Sequence, residues 1–177
     1  MRKVLSQTQN QLEKALLDIK RFPLFRSKSL VLYSSDLCEK YLHENILSKI
    51  NNDNQVIYII KTKGGANLIE VLSEYKSSNA KIKLPQINKG NYNSEVLYVG
   101  SVQKNFRDRI KQHLGFGSMS TYSLKLSKWT KKEKLDFVIK YYVLGKTNSE
   151  ITLKLIENNL ANILKPQFGK YEKLKNN

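Results

Sequence analysis

Hydrophobic residues fall in helical spacing up to about residue 50, and in short continuous runs alternating with helical stretches after it. In residues 4–20, Leu5, Leu12, Leu16 and Ile19 recur near helical spacing, which predicts a helix that Phe22-Pro23 stops. Leu30-Val31-Leu32-Tyr33 is a short apolar stretch ahead of a second predicted helix, from about Asp36 to Ile50. Leu37, Tyr41, Ile46 and Ile50 line its inner side. Asn51-Asn52-Asp53-Asn54 is a run of turn-forming residues and the best boundary in the chain. The pattern predicts an N-terminal helical extension over residues 1–50 and a main domain over residues 51–177.

Beyond the boundary, Val56-Ile57-Tyr58-Ile59-Ile60 is continuous, β-branched and aromatic, the pattern of a strand buried on both faces. Gly64-Gly65 ends it, and a helix is expected from Ala66 to about Lys76. Residues 77–94 are polar, contain Pro85 and Gly90, and read as a long loop with a short strand at Ile82–Leu84. A second buried strand, Val96-Leu97-Tyr98-Val99, is closed by Gly100. Phe106, Ile110 and Leu114 then form the core stripe of a helix from about Lys104, ended by Gly115. Gly117 to Trp129 is expected to hold another helix, with Tyr122, Leu124, Leu126 and Trp129 as its apolar positions. Leu135 to Leu144 is a third strand. Thr147-x-x-Glu150 is a capping box opening a helix to about Leu164, which Pro166 stops. The expected fold is α/β (α+β): a small three-stranded sheet flanked by helices.

Charge adds a partner to this picture. The 177 residues carry 31 Lys+Arg against 15 Asp+Glu, a formal charge of +16, with a pI near 9.8. Self-repulsion of that size works against compaction, so a polyanionic partner is the expected reason for it, and nucleic acid is the commonest. Residues 101–177 hold 16 basic and 6 acidic side chains, and residues 1–100 hold 15 and 9. No amphipathic basic helix marks a membrane-surface protein. No run reaches the roughly 18–20 apolar residues of a membrane span, and the first residues lack the apolar core of a signal peptide. A single cysteine, Cys38, forms no internal disulfide and reads as a buried small residue, so a cytoplasmic location is expected.

Two positions carry candidate chemistry. Arg109 and His113 are four apart and share a helix face at the rim of the Phe106–Ile110–Leu114 stripe. An arginine that never deprotonates suits a phosphate, and a histidine moves a proton near neutral pH. The plainer alternative is an ordinary exposed helix face. Glu157 lies inside an apolar periodicity of Leu153, Ile156, Leu160 and Leu164. A half-buried carboxylate there is costly unless it is paired, metal-bound or at a cleft. The alternative is a glutamate at the stripe's edge that reaches water or a lysine.

The segment Leu97-Tyr98-Val99-Gly100-Ser101, followed by Lys104-Asn105-Phe106-Arg107-Asp108-Arg109-Ile110-Lys111-Gln112-His113-Leu114, resembles the second half of the GIY-YIG nuclease signature. Arg109, with Ile110 after it and His113 four on, matches the family's arginine; Arg107 does not keep that spacing. Val56-Ile57-Tyr58 resembles the first half, with Val56 in place of glycine, and the Tyr58–Tyr98 interval implies an insertion over about residues 62–94. The loop from Gly100 to Asn105 looks one residue longer than in many members. Glu157, ahead of Leu160 and Lys165-Pro166-x-Phe168, falls at the family's metal-binding glutamate. Gly169 stands where an asparagine is common, and Asn158, Asn159 or Asn162 are the substitutes at hand. The resemblance covers roughly residues 55–169.

The resemblance implies a metal-dependent DNA endonuclease of the kind used in restriction, phage defence or mobile elements. One Mg²⁺ or Mn²⁺ would be held by Glu157 and water, polarising the scissile phosphate and easing departure of the 3′ oxygen. Arg109 would neutralise charge on the phosphoryl oxygens. Tyr58, Tyr98 and His113 would position and deprotonate the attacking water, with the base left open among the three. Lys104, Lys111, Lys131 and Lys132 would track the DNA backbone, and Tyr92 and Trp129 are candidates for stacking on bases or for packing. A homodimer would supply two sites for a double-strand cut. The competing expectation is a non-catalytic nucleic-acid-binding module on a degenerate nuclease fold.

Overall fold

The computed structural model describes residues 2–20, 27–50, 52, 55–144 and 149–172. At its centre is an antiparallel sheet of four strands, β1 (Ser27–Tyr33), β2 (Gln55–Thr62), β3 (Val96–Val102) and β4 (Asp136–Leu144), in the order β1-β4-β2-β3. The class is α+β as expected, but the sheet has four strands and not three. The added strand, β1, comes from the segment expected to be a helical extension, at the apolar stretch of residues 30–33 ahead of its second helix. Its four apolar residues alternate: Leu30 and Leu32 are buried opposite Ile139 and Phe137 of β4, while Val31 and Tyr33 face outward. This is a one-sided edge strand, and its period of two is what sets it apart from a helix start.

β2 lies between β4 and β3 and is buried on both faces. Val56, Tyr58 and Ile60 point into the main core, with Phe106, Ile110 and Leu114 of helix α4 (Phe106–Leu114). Ile57 and Ile59 point the other way, against Leu153 and Ala161 of helix α6 (Glu150–Leu164). The sheet is thus covered on both faces, and helices on opposite sides approach it at β2 and β3.

Residues 34–50 are not one helix. A 3₁₀ turn over Ser34–Asp36 precedes the short α2 (Glu39–Tyr41), a π turn over Leu42–Ile46 and another 3₁₀ turn over Leu47–Lys49. The change of pitch brings the adjacent Ile46 and Leu47 both into the core, which a regular helix would splay apart. Leu37, Leu42, Ile46, Leu47 and Ile50 all belong to the main core, so residues 30–50 share one interior with the rest of the sheet. Cys38 is exposed, not buried.

Helix α1 (Arg2–Lys20) packs differently. Among its described side chains Ala15 is the buried one, whereas Leu5, Leu12 and Leu16 of the expected apolar face are exposed. Polar contacts also tie it to the domain. The Asp18 carboxylate accepts hydrogen bonds from the Ser149 N–H (2.9 Å) and the Thr152 hydroxyl (3.0 Å) at the start of α6. Ser149 is the cap of that helix, its hydroxyl oxygen accepting the Thr152 N–H. The capping residue expected at Thr147 lies outside the described residues. So do Phe22, Pro23, Asn51, Asp53, Asn54 and the side chain of Ile19.

The 62–94 segment contains α3 (Ile69–Ser78), which starts later than Ala66. No strand forms at Ile82–Leu84; the ordered contact is a bridge between Ile87 and Phe168. Gln167 pins both ends of the segment. Its buried side chain accepts the Leu68 N–H (2.9 Å) and donates to the carbonyls of Ala66 (3.0 Å) and Ser94 (2.6 Å). Residues 117–125 form a loop, and only α5 (Leu126–Trp129) of the expected helix is helical, because Lys125 adopts a left-handed backbone (φ 52°). Among the described residues, no helix is long and apolar enough to cross a membrane.

Leu32→Ala should lower unfolding free energy by about 2–5 kcal/mol in a urea melt, as expected for a fully buried leucine. A fragment of residues 51–177 lacks β1 and seven residues of the main core, Leu30, Leu32, Leu37, Leu42, Ile46, Leu47 and Ile50, and should show no cooperative urea transition.

Candidate active site

Strand alternation sends Tyr58 of β2 and Tyr98 of β3 toward the same side, and Gly100 lies directly opposite Tyr58 in the strand register. A Cβ at Gly100 would stand 2.5 Å from the Tyr58 hydroxyl oxygen and 2.8 Å from the Tyr98 ring. Only glycine lets both phenols approach. Gly169 meets the other edge of the Tyr98 ring, where a Cβ would lie 2.9 Å away, and its φ of +105° also favours glycine. The glycine at 169 thus has a packing reason in this chain.

Helix α4 supplies Arg109 and His113, one turn apart beside its core stripe. Arg109 is the hub of the group. Its Nε donates to the Tyr58 hydroxyl oxygen (3.1 Å), Nη2 to that of Tyr98 (3.0 Å), and Nη1 to Gln112 Oε1 and the Tyr122 carbonyl (3.1 Å each). Arg107 is elsewhere, with Nε on the Ile50 carbonyl (2.6 Å) and its N–H on Asn52 Oδ1 (3.0 Å), where it ties α4 to the segment before β2.

His113 is fully buried. The Leu124 N–H donates to its Nδ1 (3.3 Å), so in the neutral ring the hydrogen sits on Nε2, 3.0 Å from the Tyr58 hydroxyl oxygen. The Tyr58 oxygen therefore accepts from two donors, His113 and Arg109. Burial holds the His113 pKa well below its ordinary value, and the charges of Arg109 and Lys125 add to that. Burial pushes the Tyr58 phenol far up, Tyr98 adds to the rise, and Arg109 opposes it. For Arg109, desolvation works against the charge, but Tyr58 and Tyr98 outweigh it and keep the guanidinium ionised.

Glu157 reaches the group from α6. Ser101 donates its hydroxyl to Glu157 Oε2 (2.5 Å), and the Lys154 ammonium lies 3.1 and 3.3 Å from the two carboxylate oxygens. Tyr98, Arg109 and Glu157 line one cleft of about 750 Å³, together with Tyr122, Lys154 and residues of the 62–94 segment. Tyr58 and His113 are fully buried and do not line it. A neighbouring hollow of about 520 Å³ shares Glu157, Lys154 and Lys170.

The five expected site residues thus form one connected constellation, while the expected lysines do not join it. Lys104, Lys131 and Lys132 are exposed and Lys111 is near Glu39 (3.7 Å); none lines the cleft. Lys76, Lys89, Lys154 and Lys170 do. Lys125 is buried with its ammonium on the carbonyls of Ser118 and Thr121 and the hydroxyl of Ser123. Trp129 is a core residue against Phe168. Sequence reading passed over Ser101 and Lys154, whose positions next to Gly100 and three before Glu157 were the signals available.

The Glu157 surroundings fit a hard divalent cation that keeps most of its water. The donors are a carboxylate and a hydroxyl, and the Lys154 ammonium is already a cation stabilised there. Among the described residues, no group of three or more His, Cys, Asp and Glu side chains forms a cage for a metal. Compared with known proteins, the chain matches no family model, no curated protein and no solved structure.

The buried neutral His113 gives stability a pH dependence. Unfolded, a histidine takes up a proton below about pH 6.5; folded, His113 does so only at lower pH. The unfolded chain then binds the extra proton, so stability is full above pH 6.5 and declines as pH falls through that value. Melting temperatures recorded from pH 8 to pH 5 should drop more steeply for the wild type than for His113→Gln.

Proposed function

We propose that this chain is a divalent-metal-dependent DNA endonuclease that hydrolyses phosphodiester bonds, as its resemblance to the GIY-YIG nucleases implies. The observation that carries the reading is the state of Arg109. A half-buried guanidinium beside an open cleft makes four hydrogen bonds, all to neutral acceptors. A charge so placed, with only dipoles as hydrogen-bond partners, is a site for an anion, and a planar guanidinium suits a phosphoryl group. Glu157 lies across the same cleft, and the +16 chain favours a polyanion.

In this reading Arg109 holds the non-bridging oxygens of the scissile phosphate and gains most where charge builds on them. Tyr98 is the one of the three candidate bases that lines the cleft, so it is the group placed to orient the attacking water. Tyr58 and His113 act through Arg109 as positioning residues: His113, with Nδ1 and Nε2 both engaged, fixes the Tyr58 hydroxyl, and that hydroxyl fixes Nε of the guanidinium. Glu157 would hold the metal, which when bound supplies Lewis-acid polarisation of the phosphate and a counter-charge for the leaving oxygen. Ser101 keeps the carboxylate in place. The Lys154 ammonium that pairs with Glu157 is itself largely exposed, so it can swing into water when a divalent ion takes its place.

One feature favours a second reading, a non-catalytic DNA-binding module: the Glu157 carboxylate is already engaged by Ser101 and Lys154. Nicking of supercoiled plasmid in Mg²⁺, against an EDTA control, separates the two. Glu157→Ala should abolish nicking and leave DNA affinity nearly intact; nicking at the wild-type rate would sink the metal assignment. Arg109→Ala should reduce the rate by about 10²-fold or more, with Arg107→Ala affecting stability more than rate. Affinity should fall steeply with salt, with a slope of log K on log salt of about 0.9 per phosphate contact.

A further inference from the structure

We propose that the cleft beside Arg109 takes an unpaired nucleotide with its base stacked on Tyr122, so that the substrate is single-stranded DNA or DNA opened at the cut. The inference rests on the nuclease reading for the phosphate at Arg109, and it adds the form of nucleic acid that the site admits.

Tyr122 is 63% exposed, an unusual position for an aromatic side chain one hydrogen bond from a half-buried arginine. Its backbone is held. The Tyr122 carbonyl accepts from Arg109 Nη1, the Lys125 ammonium clamps the preceding carbonyl of Thr121 (3.0 Å) and that of Ser118 (2.8 Å), and the Lys83 N–H donates to Met119 (3.3 Å). The Lys83 ammonium lies over the ring, 5.5 Å from its centroid. The ring is therefore a largely exposed surface on a braced loop, with one cation already over it. Such a face binds bases of any sequence, because every base has a π surface.

The rest of the cleft matches the other parts of a nucleotide. Leu84 and Pro85 supply an apolar wall, and Lys76, Lys89, Lys154 and Lys170 supply cations against the lone carboxylate of Glu157. Size then selects the form of the substrate. A cleft of about 750 Å³ falls among sites that enclose a small molecule, roughly 300–1,000 Å³. Intact duplex buries its bases in the stack and cannot offer one to Tyr122 without unpairing it. A single strand, a fork or a flap offers the base directly.

The test uses the full chain in EDTA, which separates binding from cleavage. The probes are oligonucleotides carrying the fluorescent base 2-aminopurine in three forms: single-stranded, forked at the labelled base, and sealed duplex. Stacking should quench the fluorescence of the first two and leave the third unchanged. Tyr122→Ala should abolish the quench and raise the single-strand Kd by about five- to a hundredfold, while Tyr122→Phe keeps both; duplex affinity should be the same in all. Equal binding of all three forms by the wild type, with no effect of Tyr122→Ala, overturns the proposal. A free mononucleotide that binds as tightly as the strand overturns it too. Quenching that depends on Tyr122 without cleavage of any form in Mg²⁺ supports the stacking site and sinks the nuclease reading. Cleavage of sealed duplex in Mg²⁺ at one rate by wild type and Tyr122→Ala does the reverse.

Discussion

The placement of a permanent positive charge at the border of the hydrophobic core is the constraint around which the candidate site is arranged. Arg109 cannot shed its proton, so its surroundings have to solvate it. They do so with two phenols, an amide and a backbone carbonyl. Three of these four acceptors have their own support. Tyr58 needs His113 and the glycine opposite it, Tyr98 needs space beside Gly100 and Gly169, and the Tyr122 carbonyl needs a loop held by Lys125. Removing any one of these leaves the others in place but loosens the guanidinium. In a low-dielectric setting that small loss of order carries a large electrostatic consequence.

The constellation draws on elements from both faces of the sheet. Tyr58 and Tyr98 come from neighbouring antiparallel strands, Arg109 and His113 from α4, and Glu157 from α6 against the opposite face. Residues up to 94 positions apart in sequence, Lys76 and Lys170, share one cleft, so the site exists only once the elements around β2 and β3 have come together. It is also asymmetric in solvation. The Tyr58–His113 pair is dry, whereas the Glu157 side is open and charged.

Much of this was legible in the sequence, and the misses have physical causes. The buried strands at Val56–Ile60 and Val96–Val99 were readable because continuous β-branched runs have few other homes. The pairing of Arg109 with His113 followed from helical periodicity, and Glu157 stood out as a carboxylate among leucines. The edge strand at Ser27–Tyr33 was missed although Leu30 and Leu32 alternate with Val31 and Tyr33; four residues are too few to outweigh the helical pattern beside them. The helix expected over Gly117–Trp129 failed because Lys125 takes a left-handed backbone, which no pattern of apolar residues signals. Cys38 is exposed for a similar reason, since its place depends on a turn whose pitch the sequence does not announce. The cleft lysines were unreadable in principle, because they come from residues 76, 89, 154 and 170 and meet only in three dimensions.

Gln167 ties the carbonyls of Ala66 and Ser94 and the amide of Leu68 to a single buried amide group. The stretch between those ends therefore leaves and re-enters the domain at nearly one point. For a loop closed in that way, doubling the length adds only about 0.6 kcal/mol of closure entropy. Residues inserted at its exposed turns, away from the core positions Leu68, Ile69, Leu72 and Leu84, thus add little closure cost, while the sheet beneath stays unchanged. One side chain sets the frame within which the wall of the cleft can change length.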